Sequence, residues 1–162
     1  MINVAQLSER DRKDLFRATS QVMKIHEAVI EKDFWICWIL DYLFQDSPLK
    51  SGLVFKGGTS FSKVYGVIER FSEDIDLILD WKLLGYNTGE PWEKRTATQQ
   101  DKFSKMANQR TEKYLAEIVA PQLQSELLVR LRDEIGVNVD GQDILIQYPK
   151  SFSSDAILPK IK

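Results

Sequence analysis

The sequence predicts an α+β fold in which a mixed β-sheet is flanked by helices. Three observations carry that reading. Leu53-Val54-Phe55 and Asp74-Ile75-Asp76-Leu77-Ile78-Leu79 are apolar, β-prone runs on either side of a short helical stretch. Val137-Asn138-Val139 and Ile144-Leu145-Ile146 bracket an Asp140-Gly141 turn, the signature of a hairpin. Around these runs the chain carries helical periodicity, first up to residue 46 and again from about Glu93 to Arg132.

The elements follow in order. Ser8 with Asp11 forms a capping box for a helix to about Ile25. A second helix runs from about Glu27 to Phe44, with lone His26 at its end. Its middle is apolar nearly all round, so it belongs inside the protein. Ser47-Pro48 ends it, and Ser51-Gly52 leads into the first core strand, near 53–56. Thr59 or Ser60 caps a helix to about Val67. A strand near 75–79 comes next, then a turn-rich loop from Trp81 to Trp92. The helical stretch after it breaks near Pro121, and Leu123, Leu127, Leu128 and Leu131 fall at core spacing. Strands near 137–139 and 143–148 follow, with a last one over 157–162. The whole reads as a single domain, 1–162, with a helical N-terminal part (1–46) and a core (47–162).

Composition bounds the function. A hydrophobic share of 43% and a charged share of 28% belong to an ordinary globular protein. The longest apolar run, Phe34 to Leu40, is too short to span a bilayer, so no membrane partner is expected. The N-terminus lacks a basic region followed by an apolar stretch. The single Cys37 cannot form an internal disulfide, which suits a cytoplasmic location, and it reads as a small core residue. A net charge of −2 does not mark a nucleic-acid binder. Locally, Lys94, Arg95, Lys102, Lys105, Arg110 and Lys113 outnumber Asp101 and Glu112. That stripe is either a tRNA-facing surface or a solvated helix face.

The chemistry concentrates between residues 53 and 79. The first run ends at Lys56-Gly57-Gly58-Thr59-Ser60. Glycine permits a sharp turn and close approach of a ligand to the backbone. The helix N-terminus that follows offers free N–H groups to phosphate oxygens, and Lys63 lies on its first turns. Then comes Ser72-Glu73-Asp74-Ile75-Asp76. On a strand, Asp74 and Asp76 share a face while Ile75 points inward. Two neighbouring hard carboxylates suit Mg²⁺ shared with substrate phosphates, and Ser72 can hydrogen-bond the turn or a carboxylate. Each half has an ordinary reading, a plain turn and a solvated strand end. Together they form the two halves of a nucleoside-triphosphate site.

Phe55-Lys56-Gly57-Gly58-Thr59-Ser60-Phe61-Ser62-Lys63, followed by Ser72-Glu73-Asp74-Ile75-Asp76-Leu77, resembles the AbiEii/AbiGii-type nucleotidyltransferase toxins of the DNA polymerase β-like superfamily. Glu31-Lys32-Asp33-Phe34-Trp35, with Leu40-Asp41-Tyr42-Leu43-Phe44, is similar to the helix that precedes their core. The resemblance implies a nucleotidyltransferase-like sheet and a toxin of a type IV toxin–antitoxin or abortive-infection system, a phage-defence role. It implies nucleotide transfer from an NTP to a tRNA end by a two-metal mechanism, with a cognate antitoxin as partner. By matching positions, Gly57, Gly58, Thr59, Ser60 and Lys63 hold the triphosphate, and Asp74 and Asp76 hold two Mg²⁺. The family's third motif, a lysine followed by an acid, is approached at Ile157-Leu158-Pro159-Lys160-Ile161-Lys162, but the acid and a C-terminal helical half are absent. The expectations are therefore an inactive fragment or truncation with a frayed strand at Lys162, and Asp143 as the one other candidate acid. Two further readings stay open: a degenerate nucleotide-binding domain acting through protein interaction, and a transferase for a small molecule or protein.

Overall fold

The computed structural model describes residues 1–58, 73–154, 157, 158 and 160–162. A short helix α1 (Ile2–Ala5) precedes α2 (Glu9–Met23), whose N-cap Ser8 accepts a hydrogen bond from the Asp11 N–H. Lys24, in the left-handed region at φ 57°, turns the chain into α3 (Glu27–Asp41). His26 caps α3 through its ring nitrogen, which accepts from the Ala28 N–H at 3.2 Å.

Helix α3 is the central element. Trp35, Ile36, Trp38 and Ile39 are all buried, which fits a helix apolar around its circumference. Helix α2 packs on it through Phe16 and Phe34, ring centres 5.3 Å apart. The helix widens into a π-turn over Tyr42–Asp46 and stops at Ser47, which is extended (ψ 137°) as the residue before Pro48.

Strand β1 (Leu53–Lys56) pairs antiparallel with β2 (Asp76–Leu79), with Leu53 opposite Leu79 and Lys56 opposite Asp76. The sequence placed the start of the second strand at Asp74; the ladder begins two residues later, because β1 has reached its glycine turn and offers no further partner. After β2 the chain makes helical turns at Trp81–Leu84 and Glu90–Trp92. It then enters α4 (Ala97–Tyr114) through a Thr96–Gln99 capping box.

The expected break at Pro121 is a π-turn instead. Helix α4 continues through Leu115–Val119 into α5 (Ala120–Leu131), and the Ala120 N–H bonds back to the Leu115 carbonyl. Pro121 has no N–H to donate, and its ring would press on the carbonyl four residues back. One wider turn placed just ahead of it absorbs both problems without ending the helix. Leu123, Leu127 and Leu131 are buried as expected, whereas Leu128 is 41% exposed: it lies about 100° round the helix from Leu127, on the flank of that stripe.

Strands β3 (Gly136–Asp140) and β4 (Asp143–Gln147) form the expected hairpin, with Gly141 at φ +60° in its turn. Both ladders among the described residues are antiparallel. The chain end corrects another expectation. Far from fraying, Ile161 is 1% exposed and exchanges two backbone hydrogen bonds with Ile146, at 2.8 and 2.9 Å. The Lys162 carbonyl then accepts from the Ile75 N–H at 2.8 Å. This last segment lies between β4 and the approach to β2, so it links the two strand pairs. One hydrophobic cluster joins α3, α5, β4 and Ile161, and Ile75, Leu77 and Leu79 pack against it.

Candidate functional site

Strand pleating sets the face of each residue in the acid segment. Ile75, Leu77 and Leu79 turn toward the core, while Asp74, Asp76 and Ile78 are exposed on the other side. The two carboxylates therefore share the outward face, as period-two alternation requires. Lys56 is directly across from Asp76 and equally exposed.

The glycine turn closes onto this face. Gly57 has φ +77°, a conformation costly for any residue with a side chain. A Cβ there would lie 2.0 Å from Asp76 Oδ2. The expected reason for glycine at this position was the approach of phosphate; the first neighbour is instead the Asp76 carboxylate. Gly58 differs, because a Cβ would meet nothing within 4 Å among the described residues. Thr59, Ser60, Lys63 and Ser72, also expected at the site, lie outside the described residues, as does the helix expected to run to Val67.

A cavity of about 540 Å³ opens beside the acid pair. Leu53, Leu77, Leu115 and Ile146 are among its apolar walls; Asp74, Asp76, Lys56, Asp143 and Lys162 give it a charged side. That volume and mixture suit a small-molecule site. Asp143 and Lys162 form an ion pair of 2.9 Å. The hydrogen bond to Asp143 and its charge, with Asp74 and Asp140 adding smaller pulls, raise the Lys162 pKa above that of an ordinary lysine. Asp143 thus begins β4 on the same cavity as Asp74 and Asp76, with a lysine partner. Among the described residues, no three acidic, histidine or cysteine side chains stand together as a metal cluster.

Two buried charges on α3 anchor the surroundings. Glu31, 1% exposed, accepts hydrogen bonds from the Ser151 N–H at 2.7 Å and the Phe152 N–H at 3.0 Å. Lys32, fully buried, donates to Glu73 at 2.6 Å. Sequence reading singled out Glu31-Lys32 only by resemblance. A physical signal was available: adjacent charges on a helix otherwise destined for the core are rarely buried without partners.

Four residues of the basic stripe on and before α4 make contacts within the molecule. Lys105 pairs with Asp101 and Lys113 with Glu117, while Arg95 lies 3.9 Å from the Phe103 ring centre and Arg110 4.3 Å from that of Tyr86. Among the described residues no helix is long and apolar enough to cross a membrane.

A family model described as "Nucleotidyl transferase AbiEii toxin, Type IV TA system" matches residues 38–162. No curated protein and no solved structure matches the chain.

Proposed function

The chain belongs to the AbiEii nucleotidyl transferase toxin family of type IV toxin–antitoxin systems, and from that premise we propose that it transfers a nucleotide from an NTP to an RNA acceptor, with tRNA ends as the substrate class. One observation carries the reading: Gly57 is packed against Asp76, and Asp74 shares the outward face of that acid. Turn and carboxylates, separate in sequence, form one surface. The family implies an antitoxin partner, and a cytoplasmic site of action follows from an RNA acceptor.

The donor set fits Mg²⁺. Two hard carboxylates with no closed protein cage are what this ion accepts when substrate phosphates complete its shell. Asp74 and Asp76 would hold it. Two such ions, when bound, supply screening of the triphosphate charge and activation of the acceptor hydroxyl.

The remaining work belongs to the chain itself. Gly58 leaves room for phosphate oxygens, and Thr59, Ser60 and Lys63 beyond it are assigned to the triphosphate by family resemblance, as Ser72 is to the nucleotide. The Lys56 ammonium, opposite Asp76, adds a positive charge on the side where anionic oxygens would approach. The cavity walls Leu53, Leu77 and Leu115 offer apolar surface to a base. Positioning is the main catalytic resource for a reaction of this kind.

The deciding experiment incubates the protein with each labelled NTP and total tRNA, beside Asp76→Asn. Label on RNA that requires Asp76 supports the proposal and overturns the expectation of an inactive chain. Label on protein, on a small molecule, or on nothing overturns the RNA acceptor.

A further inference from the structure

Asp74 lies beyond the end of the ladder that orients Asp76. The β1–β2 pairing stops at Lys56 opposite Asp76, so β1 does not determine which way Asp74 faces. Two contacts flank it. The Ile75 N–H bonds to the Lys162 carbonyl at 2.8 Å, which fixes the backbone. Glu73 Oε2 receives the Lys32 ammonium at 2.6 Å, which draws the Glu73 side chain inward. Because successive residues alternate, an inward Glu73 obliges Asp74 to face out and Ile75 to face in. A slip by one residue ahead of the ladder would turn Asp74 toward the core.

Burial gives the contact its force. The Lys32 side chain is 1% exposed and that of Glu73 35%. An ammonium buried so deeply is strongly destabilising without its counter-charge, so Glu73 cannot swing to solvent freely. Lys32 comes from α3, the most deeply packed helix, which gives the anchor a rigid base.

We infer that Lys32 and Glu73 are positioning residues: the buried ion pair sets the backbone phase that aims Asp74, beside the ladder-held Asp76, at the cation they share. This rests on the nucleotidyl-transfer reading of that acid pair. The arrangement parallels outer-shell partners in metal proteins, which orient ligands without touching the ion.

The test uses Mn²⁺ alone as probe, followed by electron paramagnetic resonance on the full chain, together with thermal melting and the Mg²⁺ dependence of transfer. The double variant Lys32→Met/Glu73→Gln removes both charges and leaves none orphaned, so its melting should stay near that of wild type. Its Mn²⁺ affinity should fall by about ten-fold or more, and half-saturating Mg²⁺ should rise in parallel. Glu73→Asp retains the charge for Lys32 with a shorter reach; it should fold and show an intermediate Mn²⁺ affinity even where the double variant does not fold. Wild-type Mn²⁺ affinity in a folded variant of either kind would overturn the inference while leaving the acid pair intact. Failure of the wild type itself to bind Mn²⁺ would overturn the metal reading of Asp74 and Asp76, and the positioning role with it.

Discussion

Gly57 leaves the Asp76 carboxylate a space that no other residue would leave: a Cβ at position 57 would stand 2.0 Å from Oδ2, on a backbone already at φ +77°. Gly57→Ala therefore carries two penalties, left-handed backbone strain and a displaced aspartate. We expect a loss of about 1–3 kcal/mol in stability together with loss of transfer. Gly58→Ala meets nothing within 4 Å among the described residues and should keep stability within about 1 kcal/mol. Gly58→Val should weaken NTP binding while the protein stays folded. Thermal unfolding and calorimetric NTP titration of the three variants separate the roles; equal behaviour of the Gly57 and Gly58 alanine variants would contradict them.

Asp74 and Asp76 can be neutralised with little structural consequence, because both face outward. Exposed substitutions usually change stability by under about 0.5 kcal/mol. Asp74→Asn and Asp76→Asn should each abolish nucleotide transfer and leave the melting temperature nearly unchanged. Transfer at the wild-type rate in either variant would remove that residue from the site.

What could be read from the sequence was what depends on neighbours along the chain. The Ser8 cap, the His26 helix end, the Asp140-Gly141 hairpin and the shared face of Asp74 and Asp76 all follow from local periodicity or turn chemistry. The discrepancies are tertiary. Leu128 matched the helical spacing closely enough to pass for core, and only the packing of α5 shows which side of the stripe is covered. Lys162 read as an edge because its neighbours Ile146 and Ile75 come from distant parts of the chain. The Lys32–Glu73 pair spans 41 residues, and no local pattern couples the two. The shared face of the two aspartates was thus legible, while the distant contacts around them were not.

Tyr42 offers a pH test of the packing beside the site. Its hydroxyl donates to Glu126, and burial together with that carboxylate pushes its pKa from 10.0 up to about 12. The folded protein therefore holds the phenol proton more tightly than the unfolded chain does. Stability from this group is complete below pH 10 and is lost as pH rises from 10 through about 12. Tyr42→Phe should cost about 1 kcal/mol at neutral pH. The gap from wild type should shrink across that alkaline window. Denaturant unfolding from pH 8 upward measures it; a gap that grows with pH would show that the phenol is not held by Glu126.

Glu31 gives the opposite case, a carboxylate whose partners are backbone groups. One oxygen accepts from Ser151 and the other from Phe152, so both lone acceptors are in use. Glutamine in its place keeps one acceptor and turns an amide NH₂ toward a backbone N–H. One buried donor is left without a partner, at a cost of about 1–3 kcal/mol. The carboxyl pKa of Glu31 stands above 4.5, because burial outweighs the two N–H donors and the Arg12 charge. A raised folded pKa means that the proton stabilises the fold. The contribution of Glu31 is complete below pH 4.5 and declines as pH rises through the raised value. Wild-type stability should therefore fall as pH rises through that value, and Glu31→Gln should lack that fall. The 151–152 segment should also exchange its amide hydrogens faster in the variant, because its two N–H groups lose their common anchor. Equal exchange at Ser151 and Phe152 in both proteins would mean that Glu31 does not tie this loop to α3.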